Sequence, residues 1–301
     1  MDNEKNILIT GASGLIGQRL KELLRQRRHT VSSLGRTKKG PGSFVWDIEK
    51  EFIEPGTFNN VDTIIHLAGA GVADKRWTKS RKQEIRDSRV KSTRLLFDEL
   101  EKDDHKVKTF ISASAIGYYG FEKSDEFLSE NTSPGNDFLA DVTRQWEEEA
   151  DKIQTLGIRV VKVRTGIVLS KNDGALKPMV QTIKLYAGAP LGSGRQYVSW
   201  IHIDDLCAIY ITAVENDNMQ GAYNAVAPNP VTNKELTNAI ARKLNKPLFL
   251  PPVPGLVLKL MLGEVADLVV NGVHVSSKKI EQTGLRFKFN TVEEALNDLL
   301  T

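Results

Sequence analysis

The chain predicts an α/β fold: a doubly wound parallel Rossmann sheet with a smaller C-terminal lobe. Three observations carry this expectation. Short β-rich runs alternate with helical stretches over residues 1–170, the pattern of βαβ units and a parallel sheet. The first apolar run leads straight into a glycine-rich turn and then a helix. Beyond residue 170 the alternation gives way to segments punctuated by Gly188, Pro190, Gly192 and Gly194, and later by Pro247, Pro251, Pro252 and Pro254. Right-handed crossovers cover both faces of such a sheet. The expected division is a dinucleotide-binding domain over 1–170, with 200–228 returning to it, and a smaller lobe over 171–199 and 229–301.

The elements follow in order. Asn6 to Thr10 is a buried-strand run. Leu15, Ile16, Leu20, Leu23 and Leu24 then share one helix face. Strands are expected at Thr30 to Leu34, Phe44 to Trp46 and Val61 to Leu67. A long polar helix over 79–102 turns Ile85, Val90, Leu95 and Leu96 inward. A strand at Lys108 to Ser112, a helix over 137–155 and a strand at Arg159 to Val163 complete the alternation. A helix over 203–215 and a strand at Ala222 to Val226 return to the sheet, and a helix over 291–300 ends the chain.

Composition narrows the class. With 301 residues, 40% hydrophobic and 26% charged, the chain reads as a globular protein able to bury a core without metals or disulfides. Cys207, the single cysteine, excludes an intrachain disulfide and favours a reducing compartment. The net charge of +3 is too small to argue for nucleic acid or an acidic membrane surface. No apolar run is long enough to span a bilayer, and Met-Asp-Asn-Glu-Lys at the start lacks the features of a signal peptide. The expectation is a cytoplasmic protein acting on a small molecule, with no nucleic-acid or membrane partner.

The turn Gly11-Ala12-Ser13-Gly14-Leu15-Ile16-Gly17 is the strongest motif. Gly11 permits the tight turn, Gly14 lets backbone approach a pyrophosphate, and Gly17 lets the helix pack closely on the strand. The backbone N–H groups of Ser13, Leu15 and Ile16 lie at or just before a helix N-terminus, where phosphate oxygens are favoured. After the second strand the chain reads Leu34-Gly35-Arg36-Thr37-Lys38-Lys39. A carboxylate there would accept from the 2′-hydroxyl of NAD, and none is present. Arg36 can instead fork onto a 2′-phosphate, so the expected cofactor is NADP, with NADPH preferred over NADH. Asp47 is a candidate acceptor for the adenine amino group. Leu67, Ala68 and Gly69 end the fourth predicted strand with residues small enough for backbone to lie against the cofactor.

These motifs, together with His66-Leu67-Ala68-Gly69, the serine-rich strand end at Ser114 and Trp200-Ile201-His202-Ile203-Asp204-Asp205, resemble an extended short-chain dehydrogenase/reductase. More narrowly, the chain is similar to atypical epimerase-family proteins of the nucleoside-diphosphate-sugar epimerase type. The segments that carry this are Ala73 to Trp77, Ser114 to Gly120, Arg164 to Leu169, Gly192 to Tyr197 and a C-terminal stretch near 250–298 resembling that family's small domain. The resemblance implies a cleft in which Arg164 contacts the nicotinamide end and Arg195 contacts a substrate diphosphate. It also implies homodimer pairing through two helices, here 79–102 and 137–155.

The same resemblance exposes a gap. Tyr and Lys of a Y-x-x-x-K pair usually supply and tune the proton, and Phe138 and Val142 stand in their places. Tyr119 and Lys123 fit the spacing, but Gly120 marks that segment as a loop. Ser114 remains at its strand end, and Tyr118 or Tyr119 is the expected replacement acid. Lys75, Arg76 and Trp77 suit an anionic or ring-bearing substrate. His66 reads as a core histidine and Cys207 as packing. Asp205 is placed to orient His202, and Asp204 with Asp205 lacks the further ligands a metal needs. Two functions follow: an NADPH-dependent oxidoreductase or epimerase-like enzyme for nucleotide sugars or small carbonyl compounds, or a non-catalytic NADPH-binding redox sensor.

Overall fold

The computed structural model describes residues 4–102, 104–121, 127–171 and 173–301. The first half runs β1 (Asn6–Thr10), α1 (Leu15–Gln26), β2 (Thr30–Gly35), β3 (Ser43–Asp47), β4 (Phe52–Ile53), β5 (Thr63–His66), α2 (Lys79–Lys102), β6 (Thr109–Ala115), a 3-10 turn (Ile116–Tyr119), α3 (Phe138–Lys152) and β7 (Arg159–Thr165). The second half runs β8 (Ile167–Leu169), α4 (Leu176–Lys184), β9 (Tyr197–Val198), β10 (Trp200–His202), α5 (Ile203–Glu215), β11 (Gly221–Ala225), β12 (Val231–Thr232), α6 (Asn233–Lys243), α7 (Gly255–Leu262), α8 (Asp267–Val270), α9 (Lys278–Glu281) and α10 (Val292–Leu299).

Eight strands form one sheet in the order β11-β7-β6-β5-β1-β2-β3-β4. Every pairing is parallel except the edge pair of β3 with β4. The chain winds outward from β1 in both directions, so the sheet reverses at β1 and β5, above which open α/β sheets bind ligands. Strand alternation divides the core between the two faces. Ile7, Ile9, Ile65, Ile111 and Val161 pack with Leu20 and Leu24 of α1 and Leu206, Ile209 and Tyr210 of α5. Leu8, Ile64, Phe110 and Val160 pack with Leu95, Leu96 and Leu100 of α2 and Ala150 at the end of α3. A third core joins Trp200, α4, α6 and α10 in the smaller C-terminal region.

Two expectations about local structure are corrected. Residues 52–53 form a strand that the sequence did not show, because two residues are too few for a period. Helix α4 lies inside the stretch read as loop. A third correction concerns Asp205. Its buried carboxylate accepts from the backbone N–H groups of Lys288 and Phe289 at 2.8 and 3.0 Å, so it clamps the C-terminal segment and does not orient His202. Nδ1 of His202 instead accepts from the N–H of Asp204 as a helix cap, and its Nε2 lies 3.3 Å from Asp298.

The helices expected to pair in a dimer pack on each other, bridged by Arg86–Asp141 and Arg94–Glu149 at 3.0 and 2.9 Å. Neither exposes a large apolar side chain among the described residues. No described helix is long and apolar enough to cross a membrane.

Candidate cofactor and substrate cleft

Gly11 has φ +67°, and a Cβ there would lie 2.8 Å from the Leu67 carbonyl carbon. A Cβ on Gly17 would lie 2.6 Å from the Gly11 oxygen. Both glycines are therefore demanded by the protein itself. Gly14 differs: at φ −77° a Cβ would meet nothing nearer than the Gly11 oxygen at 3.4 Å. Its smallness leaves room on the solvent side. No side chain caps α1 and no acidic residue lies in its first turn, so the N–H groups there point outward unopposed. Ser13 and Gly14 are exposed, with Leu15 and Ile16 partly so. This cradle fits a dinucleotide pyrophosphate.

Thr10 fastens the neighbouring loop. Its hydroxyl oxygen accepts from the N–H groups of Leu67 and Ala68 at 3.1 and 3.2 Å, and its proton goes to Nδ1 of His66 at 2.7 Å. Nε2 of His66 must then carry the ring proton, which it donates to Ser92 at 3.1 Å. Burial, aided by the nearby charge of Arg89, pushes the His66 pKa down to about 3. His66 is the core histidine expected, and it locks Leu67 and Ala68 beside the glycine turn.

Arg36 is exposed at the end of β2. No hydrogen bond or ion pair among the described residues engages it, whereas Lys38 pairs with Glu54 at 2.6 Å. Arg36 and Lys75 both act on the Glu84 carboxylate, which its partner Arg81 holds below the ordinary range. Asp47 is less free: its carboxylate accepts from the N–H groups of Glu49 and Lys50 at 3.1 and 3.2 Å, closing a turn.

One cationic residue escaped the sequence reading. The Arg89 guanidinium lies directly beneath Gly69, where a Cβ would sit 3.1 Å from its central carbon. Nη1 donates to the carbonyls of Ala70 and Ile85, each at 3.0 Å, and the group lies over Trp146 at 5.3 Å. No carboxylate among the described residues pairs with it. Burial, with a smaller contribution from Arg81, lowers its pKa to about 10. A largely desolvated cation without a counter-ion invites an anion from outside the chain. The signal was present in the sequence: residues 85, 89, 92 and 96 follow helical spacing, so an arginine occupies the inward stripe of α2.

The expected catalytic residues meet in one buried network at the C-terminal ends of β6, β7 and β11. Arg164 forks onto Glu147 of α3 through Nε and Nη2, both at 2.8 Å. Burial opposes the Arg164 charge, but the Glu147 pair outweighs it and raises the pKa. Ser114 donates to the same carboxylate at 2.6 Å. Tyr119 accepts from Arg164 at 3.0 Å and donates to Asn224 at 2.7 Å, and burial pushes its pKa up to about 12. Its proton is already placed. Tyr118 lies with its ring 3.5 Å from the Arg164 guanidinium carbon, and its hydroxyl bonds to no described residue. Lys123 lies outside the described residues.

Phe138 and Val142 join Trp77, Ile85, Leu139 and Val265 in an apolar cluster. Trp77 is 9% exposed, donates to the Val72 carbonyl at 2.8 Å and meets Phe138 edge-on at 5.2 Å. Arg76 donates to the Leu260 carbonyl at 2.8 Å, tying this loop to α7. Lys75 projects freely. Arg195 is exposed on the turn before β9, where its N–H donates to the Ser193 hydroxyl at 3.2 Å. No cluster of metal-ligating residues occurs among the described residues.

Residues 7–225 match the model of the NAD dependent epimerase/dehydratase family, and residues 253–299 match a domain of unknown function, DUF1731. Epimerase family protein Mb2239 of Mycobacterium bovis is 38% identical over 292 residues, covering 96% of each chain. Epimerase family protein YfhF of Bacillus subtilis is 36% identical over 299 residues, covering 98% of each. The crystal structure of human epimerase family protein SDR39U1 with NADPH is similar at TM-score 0.88 and 30% identity, over 98% of both chains.

Proposed function

The chain belongs to the NAD dependent epimerase/dehydratase family, and from that premise we propose that it is an NADPH-dependent oxidoreductase of the epimerase type. The observation that carries the cofactor choice is Arg36, a cation without a partner at the strand end where an NAD site has a carboxylate. The glycine turn would hold the pyrophosphate, Arg36 the 2′-phosphate, and Arg89 a phosphate oxygen beside Gly69. The human relative solved with NADPH supports the same choice. A bound nicotinamide supplies hydride transfer.

The chain's own part is to bind, orient and move a proton. Ser114 and Tyr119 are positioning residues, because both hydroxyl protons are committed within the Glu147–Arg164 network. Tyr118 is the phenol left to exchange a proton with substrate, its ring held against the Arg164 guanidinium. Lys75 meets an anionic part of the substrate, and the apolar cluster around Trp77 excludes water from one wall.

The test follows loss of reduced-nicotinamide absorbance with panels of nucleotide sugars and small carbonyl compounds. Turnover is expected with one panel, and Tyr118→Phe should lower kcat about 100-fold without changing NADPH affinity. NADPH binding with neither net oxidation of the nucleotide nor isomerisation of any sugar, the latter followed by product analysis, would overturn the enzymatic reading.

A further inference from the structure

Helix α7 reads Gly-Leu-Val-Leu-Lys-Leu-Met-Leu, and only Leu258 of it is buried. A helix apolar on all sides belongs in an interior. Here Leu256, Leu260 and Met261 are 82%, 80% and 67% exposed. Phe249 is 72% exposed, and Leu185, just past α4, 77%. These residues belong to two neighbouring segments. Lys246 donates to the Tyr186 hydroxyl at 2.8 Å and sits over its ring. The N–H of Val253 donates to the Pro190 carbonyl, and that of Gly192 to the Val253 carbonyl, each at 2.9 Å. The loop after α4 therefore runs beside the segment that continues into α7.

The segments that carry these side chains hold basic residues and no acidic ones. Residues 174–203 and 236–263 contain no Asp or Glu, although the chain has 38 acidic residues. They contain Lys177, Lys184, Arg195, Arg242, Lys243, Lys246 and Lys259. An open depression of about 540 Å³ beside Tyr186 is lined by Asn238, Arg242, Asn245 and Lys246, all hydrogen-bond donors. Three carboxylates from neighbouring elements are engaged in ion pairs: Glu264 with Lys82, Asp267 with Lys259 and Glu293 with Arg242.

We propose that these segments form one face, which docks on an anionic lipid bilayer. The apolar side chains enter the boundary between headgroups and acyl chains, and the lysines meet lipid phosphates. A second copy is the poorer occupant, since a two-fold contact through this face sets lysines against lysines. The whole-chain charge of +3 conceals the feature, because the acidic residues lie elsewhere. Arg76 holds the Leu260 carbonyl, so the docked helix borders the loop that carries Lys75. The proposal is independent of the cofactor reading.

Co-sedimentation of the full chain with phosphatidylcholine vesicles, and with vesicles of equal parts phosphatidylcholine and phosphatidylglycerol, tests it. The protein should pellet with the anionic vesicles and stay in solution with the neutral ones. Lys184→Gln with Lys246→Gln should weaken binding about 25-fold, roughly fivefold per cation. Leu256→Asp with Leu260→Asp should abolish it, circular dichroism showing that both variants remain folded. The proposal is overturned by no pelleting, by equal pelleting with both vesicle types, or by undiminished binding of the folded variants. It is equally overturned if sedimentation velocity shows a dimer that Leu256→Asp with Leu260→Asp dissolves, for then a second copy covers the face.

Discussion

Arg89 and His66 show how much a single half-buried charge or a buried neutral ring determines. Arg89 sits beneath Gly69 rather than at the end of β2, so it should serve the part of the cofactor that NADPH and NADH share. Arg89→Ala should weaken both cofactors by a similar factor, about tenfold or more, as expected for losing a charged hydrogen bond. Isothermal titration with each nucleotide checks this. His66 makes a pH prediction. Its pKa falls from 6.5 to about 3 on folding, so between these values the unfolded chain binds the extra proton. The His66 contribution is intact above pH 6.5 and is lost as pH falls toward 3. From pH 7 to 5 the loss is about 2 kcal/mol. Urea unfolding of the wild type and His66→Asn should show that increment in the wild type alone. His66 was legible as a core residue from its strand. The roles of Ser114 and Tyr119 were not, because their partners Glu147 and Asn224 lie 33 and 105 residues away.

Among the elements, the β1–turn–α1 unit was readable because each glycine has a local reason. The structure separates those reasons, and substitutions should separate them too. Gly17→Ala drives a Cβ to 2.6 Å from backbone and should cost about 1–3 kcal/mol in urea unfolding. Gly14→Ala meets only the Gly11 oxygen at 3.4 Å, so stability should stay within about 0.5 kcal/mol while NADPH affinity falls. Helices α2 and α5 match the ranges predicted for them. Helix α3 was legible as a helix, and Phe138 and Val142 as missing a Tyr and a Lys. That they pack with Trp77 and Val265 into one wall depends on the C-terminal region folding back. No local pattern announces such a contact.

Across the whole molecule, the doubly wound sheet brings β1, β2 and β5 side by side and places their loop ends on one edge. Arg36, Lys75 and Arg89 come from three separate stretches: Arg36 and Lys75 both act on the Glu84 carboxylate, and Arg89 lies beneath Gly69. Arg36, at the end of β2, is the central feature of the account, and its place beside the other cations is a property of the fold rather than of any one motif. The total charge of +3 gave no hint of it, nor of the basic apolar face around α7. The most direct measurement is calorimetric titration of the wild type and Arg36→Ala with NADPH and NADH. The account predicts that the wild type prefers NADPH and that Arg36→Ala loses about tenfold or more in NADPH affinity while keeping most of its NADH affinity. Equal losses for the two nucleotides, or a wild type that binds neither, would contradict it.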